Sequence, residues 1–522
     1  MRYFVPKFRS IHHLLVVLVL AWLVVFIYHE RYSPYFHAKA CKWPRVSEYE
    51  TVDGSETPAP DDAGFDAQLE TAHIMLIADP QLIDNHTYPG RNELLLDLSK
   101  HTADAYLKKN YRALTRFTQP DHIIFLGDYL DNGRESSNTY YAHEMNRFRA
   151  IFKKPSFVQN FLTSTPGNHD IGFGNGVIED SKTRFEENFG PLNYHTTINH
   201  VQIISLDTPS LSATEENIRE DTSKYVDFLD SQPKTGPRIL LTHVPLYRDP
   251  AIQKCGPFRE SDSFVLGGGY QYQNSLTKEL SKEILEKIKP DLIFSGDDHD
   301  YCDIIHESTH LEDPPVREIT VKSISMAMGI KYPAVQLLTI SANTGSEKSY
   351  DDPTIHYQTS ICYLPTPYIN IFSYVIMSVI SGLMILWWNI KHRSTRLQAY
   401  GSLSSYPLRS LAESVITVPA SSGNPKTSTK LSNFLKGQDL AEDINTVPLP
   451  LYTYTHVNSS SKWTQKLHKK LKKVTNSLEK SIYKLSVVEF MIKWNITGFL
   501  KHSTGLGVFI IGLYYFGFYL TL

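Results

Sequence analysis

At 522 residues the chain exceeds one ordinary domain, and length alone predicts two or three. Hydrophobic residues make up 41% of it and the net charge is -3, a balance that excludes a globally basic nucleic-acid binder. The apolar residues are unevenly spread, and their clustering points to a membrane.

Leu14 to Tyr28 is a run of fifteen uncharged residues, LLVVLVLAWLVVFIY. It is short enough for the core of a signal peptide. The bulky HERYSPYF that follows offers no small-residue cleavage site, so an uncleaved anchor over 14–28 is expected. Residues 29–72 are expected to be a linker, polar and rich in Pro, Asp and Glu from residue 38 onward. Asn85-His86-Thr87 is a glycosylation sequon, usable only if this part of the chain is lumenal.

From His73 the texture changes. Short apolar, β-branched runs recur: HIMLIAD (73–79), HIIFLGD (122–128), VQIISLDT (201–208), RILLTHVPL (238–246), LIFSGDDHD (292–300), REITVKSIS (317–325) and AVQLLTISA (334–342). Several are almost continuously apolar, as buried central strands are. Helical patterns over Glu93–Phe117 and Leu276–Ile288 separate some of them. Strand–helix alternation on this scale predicts a layered α/β domain over 73–345. A connector over 346–367 is expected to follow it.

Tyr368–Trp388 is a second apolar run and Thr504–Leu522 a third, both near the length that crosses a bilayer. Between them, residues 394–461 have the Ser-, Thr- and Pro-rich composition of a disordered segment. Lys462–Leu485 carries eight lysines and an apolar series at helical spacing, so it either lies on an anionic membrane surface or packs on a partner. Arg2, Lys7 and Arg9 precede the first run, and Lys391, Arg393 and Arg396 follow the second. Those cations place residues 1–13 and 389–503 in the cytosol and the body between the first two spans in the lumen. All four cysteines, Cys41, Cys255, Cys302 and Cys362, fall in that body. An oxidising compartment permits disulfides there, but their connectivity is open.

The chemistry sits where the apolar runs end. Asp79-Pro80-Gln81 closes the first, and Gly127-Asp128 through Asp131 to Arg134 closes the second. Pro166-Gly167-Asn168-His169-Asp170 ends another stretch, His243 stands in a fourth, and Gly296-Asp297-Asp298-His299 ends a fifth. Ligands in α/β sheets bind beyond the carboxyl ends of strands, where five such clusters meet if they share one edge. Taken singly each is weak: Gly-Asn is a common turn, and a histidine on an apolar strand is commonly just core. The ordered set is specific. Oxygen donors dominate and no thiolate is among them, which favours a hard divalent ion such as Mn²⁺ over a Cys/His-rich zinc site. Two such ions can clamp a phosphoryl group from both sides, with a carboxylate such as Asp128 between them.

The set resembles the calcineurin-like metallophosphoesterases, whose pattern is D-x-H, GDxxDxG, GNH[DE], a lone His, and GHxH. The resemblance covers roughly 73–345. The stretches IADPQLIDNHTYPGR, GNHDIGFG, LTHVPLYRDP, SGDDHDYC, EITVKSISMAMGI and the CYLP before the second span are similar to one membrane-bound branch. That branch removes ethanolamine phosphate from a mannose of glycosylphosphatidylinositol (GPI) anchors. The resemblance implies a β-sandwich flanked by helices and two divalent ions, one held by Asp79, Gln81, Asp128 and His299. The other would be held by Asp128, Asn168, His243 and Asp297. It further implies His169 beside the scissile ester, Asp131 orienting its ring, and Arg134 on the phosphoryl group. Substrates would be GPI-anchored proteins or the GPI glycolipid, met in the endoplasmic reticulum membrane or on cycling to the Golgi. Partners would otherwise be membrane lipids, not nucleic acid. Two positions depart from the pattern, since Gln81 and Asp297 each replace an imidazole by an oxygen ligand. They leave open a different membrane-bound phosphoesterase, or a receptor for GPI-anchored cargo with a degenerate pocket.

Overall fold

The computed structural model describes residues 10–45, 70–307, 314–342, 356–392 and 495–519. The Ser-rich segment and the basic helix expected at 462–485 lie outside the described residues. Residues 15–378 with 508–522 form one unit, and 1–14 with 379–507 another.

The larger unit is built on two sheets. The first has strand order β13-β12-β1-β2-β3, with β1 (Glu70–Ile77), β2 (His122–Phe125), β3 (Asn160–Leu162), β12 (Ala334–Ala342) and β13 (His356–Tyr363). The second runs β10-β11-β9-β6-β5-β4, with β4 (Tyr194–Ile198), β5 (Val201–Ser205), β6 (Arg238–Leu241), β9 (Leu292–Ser295), β10 (Cys302–His306) and β11 (Val316–Thr320). A small hairpin, β7 (Gly268–Gly269) and β8 (Tyr272–Gln273), forms a two-stranded sheet of its own. Strands β1, β2 and β3 are parallel to one another, as are β5, β6, β9 and β11. Each parallel run therefore ends on one edge of its sheet.

Apolar side chains decide the layering. Ile74, Leu76 and Ile124 of the first sheet and Ile203, Ile239 and Phe294 of the second share one buried cluster, so the sheets stack face to face. The alternate positions Met75, Ile77 and Phe125 point the other way, toward helices. Those helices include α3 (Glu93–Thr118), α4 (Asn138–Ile151) and α6 (Glu179–Phe189), while the short α5 (Asn168–Ile171) carries the GNHD sequence. Helices α8 (Glu216–Ser231) and α9 (Lys278–Ile288), with α7 (Thr208–Leu211) before them, cover the outer face of the second sheet. The result is the predicted α/β sandwich flanked by helices.

Three helical segments are long and apolar enough to cross a membrane: Ile11–Ala40, Pro367–Lys391 and Ile496–Phe518. The first comprises α1 (Ile11–Ile27) and α2 (Ser33–Ala40), joined by a π-helical turn at Tyr28–Tyr32. The second is α10 (Pro367–Lys391), and α11 (Ile496–Tyr514) begins the third. Two expected boundaries change. The helix does not stop at Tyr28, because Glu30 forms an ion pair of 2.7 Å with buried Lys109 of α3 and Ala38 enters the domain core. The connector expected at 346–367 supplies β13, an edge strand whose half-polar HYQTSICY hides it from an apolar-run criterion. Tyr106 donates its hydroxyl to the Pro365 carbonyl at 2.7 Å, and a Cys41–Cys362 disulfide ties the end of α2 to β13. Both approaches to the membrane are thus fastened to the domain.

Candidate metal centre

The carboxyl ends of β1, β2, β3, β6 and β9 converge, and all five sequence clusters meet there. Asp79, Asp128 and His299 bring ligand atoms within 4.8 Å of one another, and so do Asp128, His243 and Asp297. Asp128 belongs to both groups. His243 is fully buried, its Nε2 3.3 Å from an Asp128 oxygen and 3.5 Å from Asp297, while Nδ1 lies 2.8 Å from the Leu126 carbonyl. If Nδ1 donates to that carbonyl, Nε2 is left with its lone pair toward the carboxylates, the tautomer a metal ligand needs.

The backbone is strained where these side chains project. Asp79, Gln81, Asp128, Asp297 and His299 have φ of 46°, 34°, 51°, 65° and 62°. Left-handed non-glycine residues cost of order 1–3 kcal/mol each, and their clustering marks a site the surrounding structure must hold in place. Glycine permits the approach. A Cβ on Gly127 would sit 2.5 Å from His243 Nδ1, and one on Gly167 would sit 2.0 Å from an Asp128 oxygen.

The electrostatics fit a cation. Burial pushes the Asp79 carboxyl well above the usual carboxylate range, against the pull of His243, and the Asp128 and Asp297 charges add to the rise. Burial opposes ionisation of Asp128 too, but His243 and His169 overcome it and hold that carboxyl below its usual range. The His243 imidazole is raised despite its burial, chiefly by Asp128. Burial lowers His299. Three carboxylates converge with one buried imidazole nearby, a set that a divalent ion would neutralise. Asp79 Oδ2 and Gln81 Oε1 are buried with no hydrogen-bond partner, as open donor atoms would be.

The remaining candidates surround this set. Asn168 directs Oδ1 to 3.3 Å from His243 Nε2, because its amide nitrogen donates to the Gln271 carbonyl at 3.1 Å. His169 donates its main-chain N–H to Asp128 at 3.0 Å, and its ring Nδ1 lies 2.5 Å from the Asp131 carbonyl oxygen. The Asp131 carboxylate is 3.4 Å away, so Asp131 holds the ring mainly through its main chain. Gln81 donates to that carboxylate at 2.8 Å. Arg134 spends one arm on the Asn168 carbonyl at 3.1 Å, leaving its buried Nε without a partner.

Several supporting residues escape a motif search. Asp170 accepts the amides of Tyr129, Leu130 and Gly167, fixing the GD loop against the GNH turn. Burial, with Asp128 adding, pushes its carboxyl up to about 8. Thr87 bonds Asp131, and Ser323 donates to the Asp79 carbonyl at 2.8 Å. The segment 249–275 reaches back to the site and is pinned by Cys255–Cys302, by a two-armed Arg259–Asp298 pair, and by Lys322 between Glu260 and Asp300. Its tip presents Gln271. Asp170 and Thr87 stand inside recognisable motifs and carry that signal, whereas Gln271 comes from a stretch with none.

A family model described as calcineurin-like phosphoesterase matches residues 72–301. Among relatives, Cell division control protein 1 of Saccharomyces cerevisiae is 38% identical over 365 residues, covering 68% of this chain and 70% of the yeast protein. Metallophosphoesterase 1 of Xenopus laevis is 26% identical, covering 69% of this chain and 85% of the frog protein. That of Danio rerio is 25% identical, with coverages of 69% and 87%.

Proposed function

The chain belongs to the calcineurin-like phosphoesterases, metal-dependent hydrolases, and from that premise we propose that it is a phosphodiesterase that removes ethanolamine phosphate from a mannose of GPI anchors. The observation that carries this reading is the union of a site built around a shared Asp128 with a domain fastened at both ends to membrane-crossing helices. A lipid-tethered substrate suits such an enzyme, since confinement to one membrane raises effective concentration.

Two divalent cations, one on Asp79, Asp128 and His299 with Gln81, the other on Asp128, His243 and Asp297 with Asn168, would supply Lewis-acid charge to the phosphoryl oxygens and activate water. The oxygen-rich set favours Mn²⁺. The protein's own groups do the rest. With Nδ1 committed to Asp131, Nε2 of His169, which lies 3.2 Å from the Gln81 amide nitrogen, is the ring atom left to face the ester, where it would serve the departing alkoxide as proton donor once Gln81 turns to a metal. The unpartnered Arg134 Nε offers a donor to the phosphoryl group.

Two disulfides in the body and an exposed sequon at Asn85 support a lumenal orientation in the endoplasmic reticulum, with cycling to the Golgi open to the same enzyme. The decisive measurement is mass spectrometry of anchor glycans from cells with and without the protein. Loss of the protein should leave ethanolamine phosphate on a mannose that otherwise lacks it. Identical glycans in both would overturn the proposal.

A further inference from the structure

A cavity of about 420 Å³ lies within the larger unit, between the membrane-crossing helices and α3. That size falls in the roughly 300–1,000 Å³ range of small-molecule sites. One wall comes from residues on the crossing helices, among them Phe26, Tyr374 and Ile510, and the opposite wall from Thr102 and Ala105 of α3. The lining is mostly apolar; its charged groups are the Glu30–Lys109 ion pair, with the Tyr374 hydroxyl 2.5 Å from Glu30.

Position decides the occupant. The crossing helices belong to the bilayer, so what reaches this wall laterally is lipid. Ile371, Val375 and Ile511 line the cavity while exposed on the outer surface of the helices, so its rim lies where acyl chains are. Leu94, Leu95 and Leu98 at the start of α3 are exposed as well, and Leu98 joins them to the rim. A mostly apolar chamber whose polar lining is Glu30, Lys109, His101, Thr102 and Asn370 has the mixed polarity of an amphiphile.

The cavity is also one loop away from the metal centre. Met326 lines it, and Ser323 in the same loop bonds Asp79 and the main chain of His299. Three residues span at most about 11 Å. We propose that the cavity receives an acyl chain of the lipid that tethers the phosphorylated glycan, so that the substrate is gripped both at its membrane end and at its reacting ester. This rests on the reading that the substrate is lipid-linked.

The test uses the full chain in nanodiscs of phosphatidylcholine. A phosphatidylinositol-based glycolipid with a diazirine in one acyl chain should, on irradiation, label α3 between Leu98 and Lys109, and unlabelled glycolipid should compete. Thr102→Trp and Ala105→Trp fill the chamber from α3. Either should raise KM for the tethered glycan at least about tenfold, the effect of withdrawing roughly two methylene groups from an apolar wall. Turnover of water-soluble bis-p-nitrophenyl phosphate should stay unchanged, which also shows that the variant is folded. Labels confined to the outer faces of the crossing helices, or an unchanged KM in both folded variants, would overturn the proposal. So would a diazirine phosphatidylcholine that labels the cavity and is not displaced by the glycolipid, since the occupant would then be a resident lipid. If the unmodified protein is labelled competitively yet leaves the glycan intact while cleaving the soluble diester, the assigned substrate bond is wrong and the cavity assignment stands.

Discussion

The hydroxyl of Thr87 lies 2.5 Å from the Asp131 carboxylate, so the last residue of the glycosylation sequon is also a support of the catalytic centre. Asp131 in turn accepts from Gln81 and holds the ring of His169. Asn85, two residues earlier, is exposed and accepts from Lys100 at 2.8 Å. The two ends of one sequon therefore have separable roles.

That separation is testable. Asn85→Gln should remove a glycan, seen as a gel shift, and leave turnover within about twofold, because an exposed substitution disturbs little. Thr87→Ala should remove the same glycan and also lower activity roughly 10-fold, the lower end for losing a group that orients a ligand shell. Thr87→Ser should restore both. Equal turnover in Asn85→Gln and Thr87→Ala would remove Thr87 from the site. An unshifted wild-type band after deglycosidase treatment would count against the lumenal orientation.

Asp128 and His169 should separate metal binding from proton transfer. Asp128 serves both groups of candidate ligands, so Asp128→Asn should lower bound metal and activity together. His169 reaches Asp128 only through its main-chain N–H, and that bond survives a side-chain change. His169→Asn should therefore retain metal while kcat falls about 10²–10⁴-fold, the usual worth of a positioned acid or base. Metal counted by mass spectrometry alongside turnover decides it, and equal metal loss in both variants would refute the division of labour.

Gly167→Ala examines the packing that brings the strands' ends together. The added Cβ would meet the Asp128 carboxylate and main chain, so one of them must move. Overpacking at this contact should cost about 1–3 kcal/mol of stability. The displaced carboxylate should release metal at concentrations that saturate the wild type. A variant with wild-type thermal stability and metal content would show that the loop has slack here.

The apolar runs made a layered α/β domain legible, because seven near-continuous β-branched stretches leave little alternative to buried strands, while the sandwich itself came only with the family resemblance. Each overlaps an observed strand, from β1 (Glu70–Ile77) on HIMLIAD to β12 (Ala334–Ala342) on AVQLLTISA. What stayed hidden was polar or short. Strand β4 alternates half-buried and exposed residues, β13 is half-buried along most of its length, both lie at sheet edges, and β3 is three residues long. The candidate metal centre was legible as clusters at strand ends, since those motifs carry the carboxylates and imidazoles that converge there. Its supports were less so. Gln271 reaches Asn168 across 103 residues, and nothing local in the Gly-rich stretch before it announces that contact. The disulfides were equally open, because four cysteines in one compartment admit three pairings.

Asp297 is where this chain departs furthest from its family's pattern, placing a carboxylate where relatives are expected to have imidazole. Its main-chain N–H donates to Asp79 at 3.0 Å, so the turn is held whatever side chain it carries. The φ of 65° is a conformation that histidine also tolerates, as His299 shows at 62°. Asp297→His should therefore keep the fold. What changes is the donor, from a hard anionic oxygen to a neutral nitrogen, and with it the balance of charge around buried His243. Ligand type shifts which divalent ion is held productively even though raw affinities follow a fixed order among metals. The activity preference should move from Mn²⁺ toward Zn²⁺ or Fe²⁺. Asp297→Ala should instead empty the group formed with Asp128 and His243 while the group of Asp79, Asp128 and His299 stays partly filled. Turnover across a Mn²⁺, Zn²⁺ and Fe²⁺ series, with bound metal counted in parallel, separates these outcomes. An unchanged metal profile in both variants would mean that Asp297 is not a ligand, and the second ion would then have to be held without it.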